Sequence, residues 1–176
     1  MNSTDHSLVL KAISFASRQH VGQLRKDGQT PYAAHPMRVL SIMSTIFRVE
    51  DPEVLAAAAL HDVIEDTTVD RDDVVEEFGE RVASYVALLS KDKRLVEEER
   101  ETKYFHDLAE APLEVQLCKL ADTYDNLIDS SGFSLELNSR FRKKSKQLVD
   151  LFTPRFPDAW HHVLEAVRAQ IEKAPG

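Results

Sequence analysis

The sequence predicts an all-α fold, a helical bundle formed by a single domain over residues 1–176. Glycine is scarce, with five in 176 residues. Between the glycine and proline breaks, apolar residues recur at helical spacing without strand-like alternation. The balance of 43% hydrophobic to 30% charged residues suits a chain that folds around one core.

A first helix, capped by Thr4 or Asp5, carries Leu8, Ile13, Phe15 and Ala16 and ends near His20 to Gly22. Arg25 to Tyr32 is a loop. Pro36 suits a first helical turn and opens a second helix through Val39, Leu40, Ile42, Met43 and Ile46. A third helix starts at Pro52. Its run Val54 to Leu60 is apolar on nearly every face, so it belongs at the centre of the bundle and delivers His61 and Asp62 to the interior. A short acidic helix from Asp70 or Arg71 to Phe78 stops at Gly79, and Val82, Tyr85, Val86 and Leu89 mark its packed neighbour. Glu97 to Glu101 is a run of charge, expected as a mostly solvated helix or mobile segment. Pro112 starts a long helix that ends near Ser131 and Gly132. Two more helices, Leu135 to Phe152 and Ala159 to Ile171, flank the Pro154 and Pro157 breaks.

Composition narrows the function. Against 30 acidic residues stand 22 Lys and Arg, a formal charge of −8, which disfavours nucleic acid as a partner. The run Val54 to Leu60 falls far short of the roughly 20 apolar residues that span a bilayer, so no membrane partner is expected. Cys118 is the only cysteine and no signal peptide is evident, which points to the reducing cytoplasm. A small phosphorylated substrate stays open, because a local basic cluster or a bound cation attracts phosphate even on an acidic protein.

In His61-Asp62-Val63-Ile64-Glu65-Asp66, Glu65 lies one helical turn from His61 and Asp66 one turn from Asp62. Four polar groups leaving a buried helix together need a cation, paired bases or solvent, and a metal satisfies them most economically. His35, before Pro36, and Asp122, in Lys119-Leu120-Ala121-Asp122, complete a His₂Asp₂ set of the ligand types that suit Mn, Fe, Zn or Ni. Taken alone, His35 reads equally well as a helix N-terminal residue bonded to backbone, and Asp122 as part of a solvated face.

Arg25-Lys26-Asp27-Gly28-Gln29-Thr30-Pro31-Tyr32-Ala33-Ala34-His35-Pro36, His61-Asp62-Val63-Ile64-Glu65-Asp66-Thr67, and Lys119-Leu120-Ala121-Asp122 with Asn126 form an ordered set. Together they resemble the RelA/SpoT hydrolase domain, one of the HD-domain metal-dependent phosphohydrolases. The resemblance runs from the first helix to beyond Asn126 and implies the HD-domain helical bundle. Long members add a synthetase, whereas this chain looks like the small hydrolase-only alarmone hydrolases of the stringent response, without synthetase activity.

The resemblance implies that His35, His61, Asp62 and Asp122 bind one divalent ion, usually Mn²⁺, and that Glu65 and Asp66 act beside the attacking water. It further implies that Arg25 and Lys26 meet substrate and that Asn126 holds the ribose or phosphate region. Of the basic residues on the later helix, Arg142 is assigned to the pocket and the rest to solvent. The activity implied is removal of the 3′-pyrophosphate from guanosine tetraphosphate or pentaphosphate, giving GDP or GTP. The alternatives are an HD phosphatase of another nucleotide such as NADPH, or a non-catalytic nucleotide-binding signalling domain. The chain departs from the family pattern after Asp122. Thr123, Tyr124 and Asp125 stand where a basic residue, then His or Tyr, is common before the Asn, and Asp129-Ser130 replaces a frequent Arg-Thr pair. These departures touch substrate recognition and are expected to leave the metal site unchanged.

Overall fold

The computed structural model describes residues 3–130 and 134–174. In chain order the helices are α1 (Ser3–Gln19), α2 (Ala34–Ser41), α3 (Pro52–Leu60), α4 (Val63–Asp66), α5 (Arg71–Phe78), α6 (Glu80–Leu89), α7 (Glu97–Glu110), α8 (Leu113–Asp129), α9 (Leu135–Phe152) and α10 (His161–Lys173). No strand occurs among the described residues; Leu24 and Pro31 form an isolated antiparallel bridge.

Helix α3 is the axis of the bundle. The Asp51 carboxylate caps it by accepting from the Glu53 and Val54 amides, and Pro52 occupies the first turn, where its missing N–H costs nothing. Every residue from Val54 to Leu60 is buried, as the all-round apolar run requires, and the helix packs against α1, α2, α6 and α8. Four consecutive alanines, Ala56 to Ala59, let those neighbours come close.

Several boundaries differ from the expected ones. Helix α2 begins at Ala34, two residues before Pro36, so His35 lies inside the first turn, with its amide donating to the Tyr32 carbonyl at 2.9 Å. The helix continues as a π turn, Ile42–Ile46. Helix α3 stops at Leu60. His61 and Asp62 form a turn before the short α4, although the Asp66 amide still reaches the Asp62 carbonyl at 2.8 Å and preserves the one-turn relation. The end expected near Ser131 and Gly132 lies outside the described residues.

The charged stretch Glu97 to Glu101 is the start of an ordered helix, α7, fixed by two features that its composition obscures. Tyr104 and Leu108 are buried, with the Tyr104 hydroxyl donating to the Leu89 carbonyl at 2.8 Å. Glu101 accepts from Lys91 at 2.8 Å and from Lys144 on α9 at 2.9 Å. Burial opposes its charge, but the two lysine hydrogen bonds outweigh burial and lower its pKa from 4.5 to about 2. Its contribution to stability is therefore complete above pH 4.5 and disappears as pH falls through about 2. Glu101→Gln is expected to lower unfolding stability at neutral pH by roughly 1 kcal/mol, since solvent screens the pairs. The gap between urea midpoints of the two proteins should close as pH falls across that window.

Candidate metal centre and active site

Three segments converge on one point. His35 comes from the first turn of α2, His61 and Asp62 from the turn that ends α3, and Asp122 from the middle of α8. One donor atom from each of His35, His61 and Asp62 can be chosen so that all lie within 4.8 Å of one another. The two Nε2 atoms are 3.2 Å apart, and Asp62 Oδ2 is 3.0 Å from His61 Nε2 and 3.5 Å from His35 Nε2. Asp122 Oδ1 lies 3.2 Å from His35 Nε2 and 3.9 Å from His61 Nε2.

The opposite sides of both rings explain why this is a candidate cation site. His61 Nδ1 is 2.9 Å from the Ala58 carbonyl, which can only accept, so the ring hydrogen sits on Nδ1. His35 Nδ1 is 2.7 Å from Asp125 Oδ2 and likewise donates. Both Nε2 lone pairs are left to face the shared point, the arrangement a metal requires and one that two imidazoles alone can satisfy only by holding a proton there. Local charge agrees. Burial disfavours the protonated His35 ring, but hydrogen bonds to Asp122 and Asp125 prevail and raise it to about 9, so the pocket draws positive charge. Burial also opposes charge on Asp62 and Asp122, yet His61 beside the first and Lys119 beside the second hold both well below the usual carboxylate range. The donor set thus fits a divalent ion with nitrogen and oxygen ligands.

Around this point lies a polar cavity of about 330 Å³, lined in part by Arg25, Lys26, Glu65, Asp66, Lys91 and Asn126. Glu65 Oε2 accepts from the Lys91 amide at 2.9 Å, and burial pushes its pKa up. Asp66 is more exposed: Oδ1 accepts from Lys93 at 2.8 Å, and Oδ2 is 3.3 Å from the Tyr32 hydroxyl. Asn126 donates to Asp122 Oδ1 at 2.5 Å and accepts from Arg25 at 2.9 Å. Arg25 also pairs with Asp129 at 2.8 Å, so its fork is already engaged by the protein.

Arg142 lines a surface cavity with Ser139, Lys143 and Lys146. The stripe of α9 that faces the site is Phe141, Lys144, Ser145 and Leu148, and Arg142 falls about 100° off it at helical spacing. Lys144 is the basic residue of that helix at the site.

Sequence reasoning gave no individual role to three pocket residues. The Tyr32 hydroxyl donates to Asp62 Oδ2 at 2.6 Å and so orients a candidate ligand. Lys119 donates to Asp122 Oδ2 at 2.7 Å, and its position three residues before Asp122 on one helix was a usable signal. Lys91, in the loop after α6, had no such signal. A second cavity of about 260 Å³ shares Lys91, Tyr104, Lys119, Asp122 and Asn126 with the first, and adds Phe105, Leu108 and Phe141 as an apolar wall.

Comparison with known proteins fits this geometry. Residues 12–154 match the family described as HD domain. The chain belongs to the HD-domain family. Among HD-domain relatives, guanosine-3′,5′-bis(diphosphate) 3′-pyrophosphohydrolase MESH1 of Drosophila melanogaster is 35% identical over 147 residues, 80% of this chain and 82% of its own. The protein of the same name from Homo sapiens is 38% identical over 122 residues, 69% of this chain and 68% of its own. A solved metazoan ortholog of SpoT, described as hydrolysing ppGpp and acting in starvation responses, superposes with a TM-score of 0.85 at 30% identity, covering 95% of each chain. The HD-domain fold expected from the resemblance is therefore the fold observed. Among the described residues no helix is long and apolar enough to cross a membrane.

Proposed function

We propose that the protein hydrolyses the 3′-pyrophosphate of guanosine tetraphosphate and pentaphosphate, consuming one water and yielding GDP or GTP with pyrophosphate. One divalent ion, Mn²⁺, is held by His35, His61, Asp62 and Asp122. The observation that carries the reading is the pair of imidazoles whose Nδ1 hydrogens are both engaged elsewhere, leaving two Nε2 atoms beside Asp62 at the floor of a polar cavity. Relatives 35% and 38% identical over 80% and 69% of the chain are named for this activity.

When bound, the ion supplies Lewis acidity toward a phosphoryl oxygen and lowers the pKa of water. Glu65 takes the proton of the attacking water, a task suited to a half-buried carboxylate with a raised pKa. Asp66 holds Lys93 at the rim. Lys91, Lys119 and Lys26 offset the charge that gathers on the phosphoryl oxygens. The polar chamber takes the pyrophosphate, and the adjoining chamber, walled by Phe105 and Phe141, receives the nucleoside. The reducing cytoplasm suits the buried free thiol of Cys118.

Purified Mn²⁺-loaded protein offered a panel of 3′-pyrophosphorylated and 2′-phosphorylated nucleotides should release pyrophosphate from guanosine tetraphosphate. Free phosphate from another nucleotide, with no pyrophosphate from this one, would reject the substrate while keeping the hydrolase. Arg25 tests phosphate recognition separately. If substrate phosphate takes over an Arg25 N–H now given to Asn126 or Asp129, Arg25→Ala should lower kcat/KM for guanosine tetraphosphate by roughly 10- to 100-fold, the worth of a charged hydrogen bond, and a minimal phosphodiester by far less. Equal losses on both substrates would mean that Arg25 only holds Asp129 and Asn126.

A further inference from the structure

Asp125 is 1% exposed and reaches the proposed metal centre only through His35. Its carboxylate nonetheless spans two residues one turn apart on α2. Oδ2 accepts the Nδ1 hydrogen of His35 at 2.7 Å, and Oδ1 accepts from Arg38 Nε at 2.6 Å, with Arg38 Nη2 3.1 Å from Oδ2. Arg38 continues to Asp129 at 3.2 Å, and Asp129 to Arg25 at 2.8 Å. The carboxylate is gripped by a planar fork on one side, which fixes the oxygen that faces His35.

An imidazole free in water prefers its hydrogen on Nε2, the atom that must here be bare. A buried acceptor at Nδ1 reverses that preference and sets the ring plane. We infer that Asp125, clamped by Arg38, is the positioning residue that keeps the hydrogen of His35 on Nδ1 and aims its Nε2 at the metal. This rests on the reading of His35 as a metal ligand. It also revises the expectation that the departures after Asp122 leave the metal site unchanged, because the residue standing where His or Tyr is common carries the orienting group.

The test uses the full chain, with Mn²⁺ affinity from calorimetry and the His35 Nδ1–H proton resonance of the metal-free protein. Asp125→Ala is expected to weaken Mn²⁺ by roughly 10- to 100-fold, as loss of an outer partner does, and to abolish the slowly exchanging downfield Nδ1–H signal. Asp125→Asn keeps an accepting oxygen, so it should retain the signal and bind Mn²⁺ more tightly than the alanine variant. Arg38→Met leaves His35 untouched and should weaken Mn²⁺ by less than Asp125→Ala does. Alanine at 125 with wild-type affinity and an intact signal overturns the inference. So does Asp125→Asn behaving no better than Asp125→Ala, since bulk charge would then be the cause. If Asp125→Ala does not fold, unchanged affinity and signal in Arg38→Met overturn the clamp. Wild-type protein that takes up no Mn²⁺ rejects the metal centre instead, and the metal-free spectra still report whether Asp125 fixes His35.

Discussion

His61→Ala should lose Mn²⁺ and hydrolysis together. The loss in activity should exceed the roughly 100-fold that removal of an outer-shell partner costs, because a ligand itself is gone. His61 is buried at 3% exposure, and its Nε2 lies within 3.9 Å of each of His35, Asp62 and Asp122, so no neighbouring side chain can move into its place without leaving its own partners. Its removal leaves Asp62 and Asp122 facing each other with less positive charge between them. Thermal unfolding supplies a readout that needs no substrate. A ligand present at about 100 times its Kd stabilises the native state by roughly 2.7 kcal/mol, so wild-type protein should melt higher with Mn²⁺ and the variant should not. A variant that still gains stability from Mn²⁺ and keeps full turnover would remove His61 from the ligand set.

How much of this was readable beforehand follows from the distance over which each interaction acts. The bundle was legible because helix formation and burial are periodic in the sequence, and the unbroken apolar run Val54 to Leu60 could only be a central helix. The stop at Leu60 was not, since nothing in His61-Asp62 breaks a helix by itself; the turn is held by tertiary contacts of both side chains. The converging ligands came from three separated segments, and only the ordered motif joined them. Within the basic cluster of α9, helical phase decides which cavity each residue lines, Lys144 one and Arg142 another. Asp125 was legible in part: Lys119, Asp122, Asp125, Asn126 and Asp129 recur at three- and four-residue spacing and so share a face of α8. That it meets His35 and Arg38, 90 and 87 residues away, has no local trace in the sequence. The same holds for Arg25, whose engagement with Asp129 crosses 104 residues and turns an apparently free loop cation into part of a network.

Glu65→Gln should separate chemistry from metal binding. Glu65 faces the attacking water with its Oε2 held by the Lys91 amide, so the variant should bind Mn²⁺ as the wild type does. The amide oxygen of glutamine can still accept from the Lys91 N–H, as Glu65 Oε2 does at 2.9 Å, so the loop after α6 keeps its anchor and folding is unaffected. What is lost is the ability to take a proton. A group in that role contributes roughly 10²–10⁴-fold, and kcat on guanosine tetraphosphate should fall by that factor with KM little changed. Asp66→Asn should cost less, because Asp66 is exposed and already paired with Lys93, which leaves it a holding role. If Glu65→Gln lost Mn²⁺, Glu65 would be a ligand; if it kept full turnover while Asp66→Asn did not, the proton would pass to Asp66.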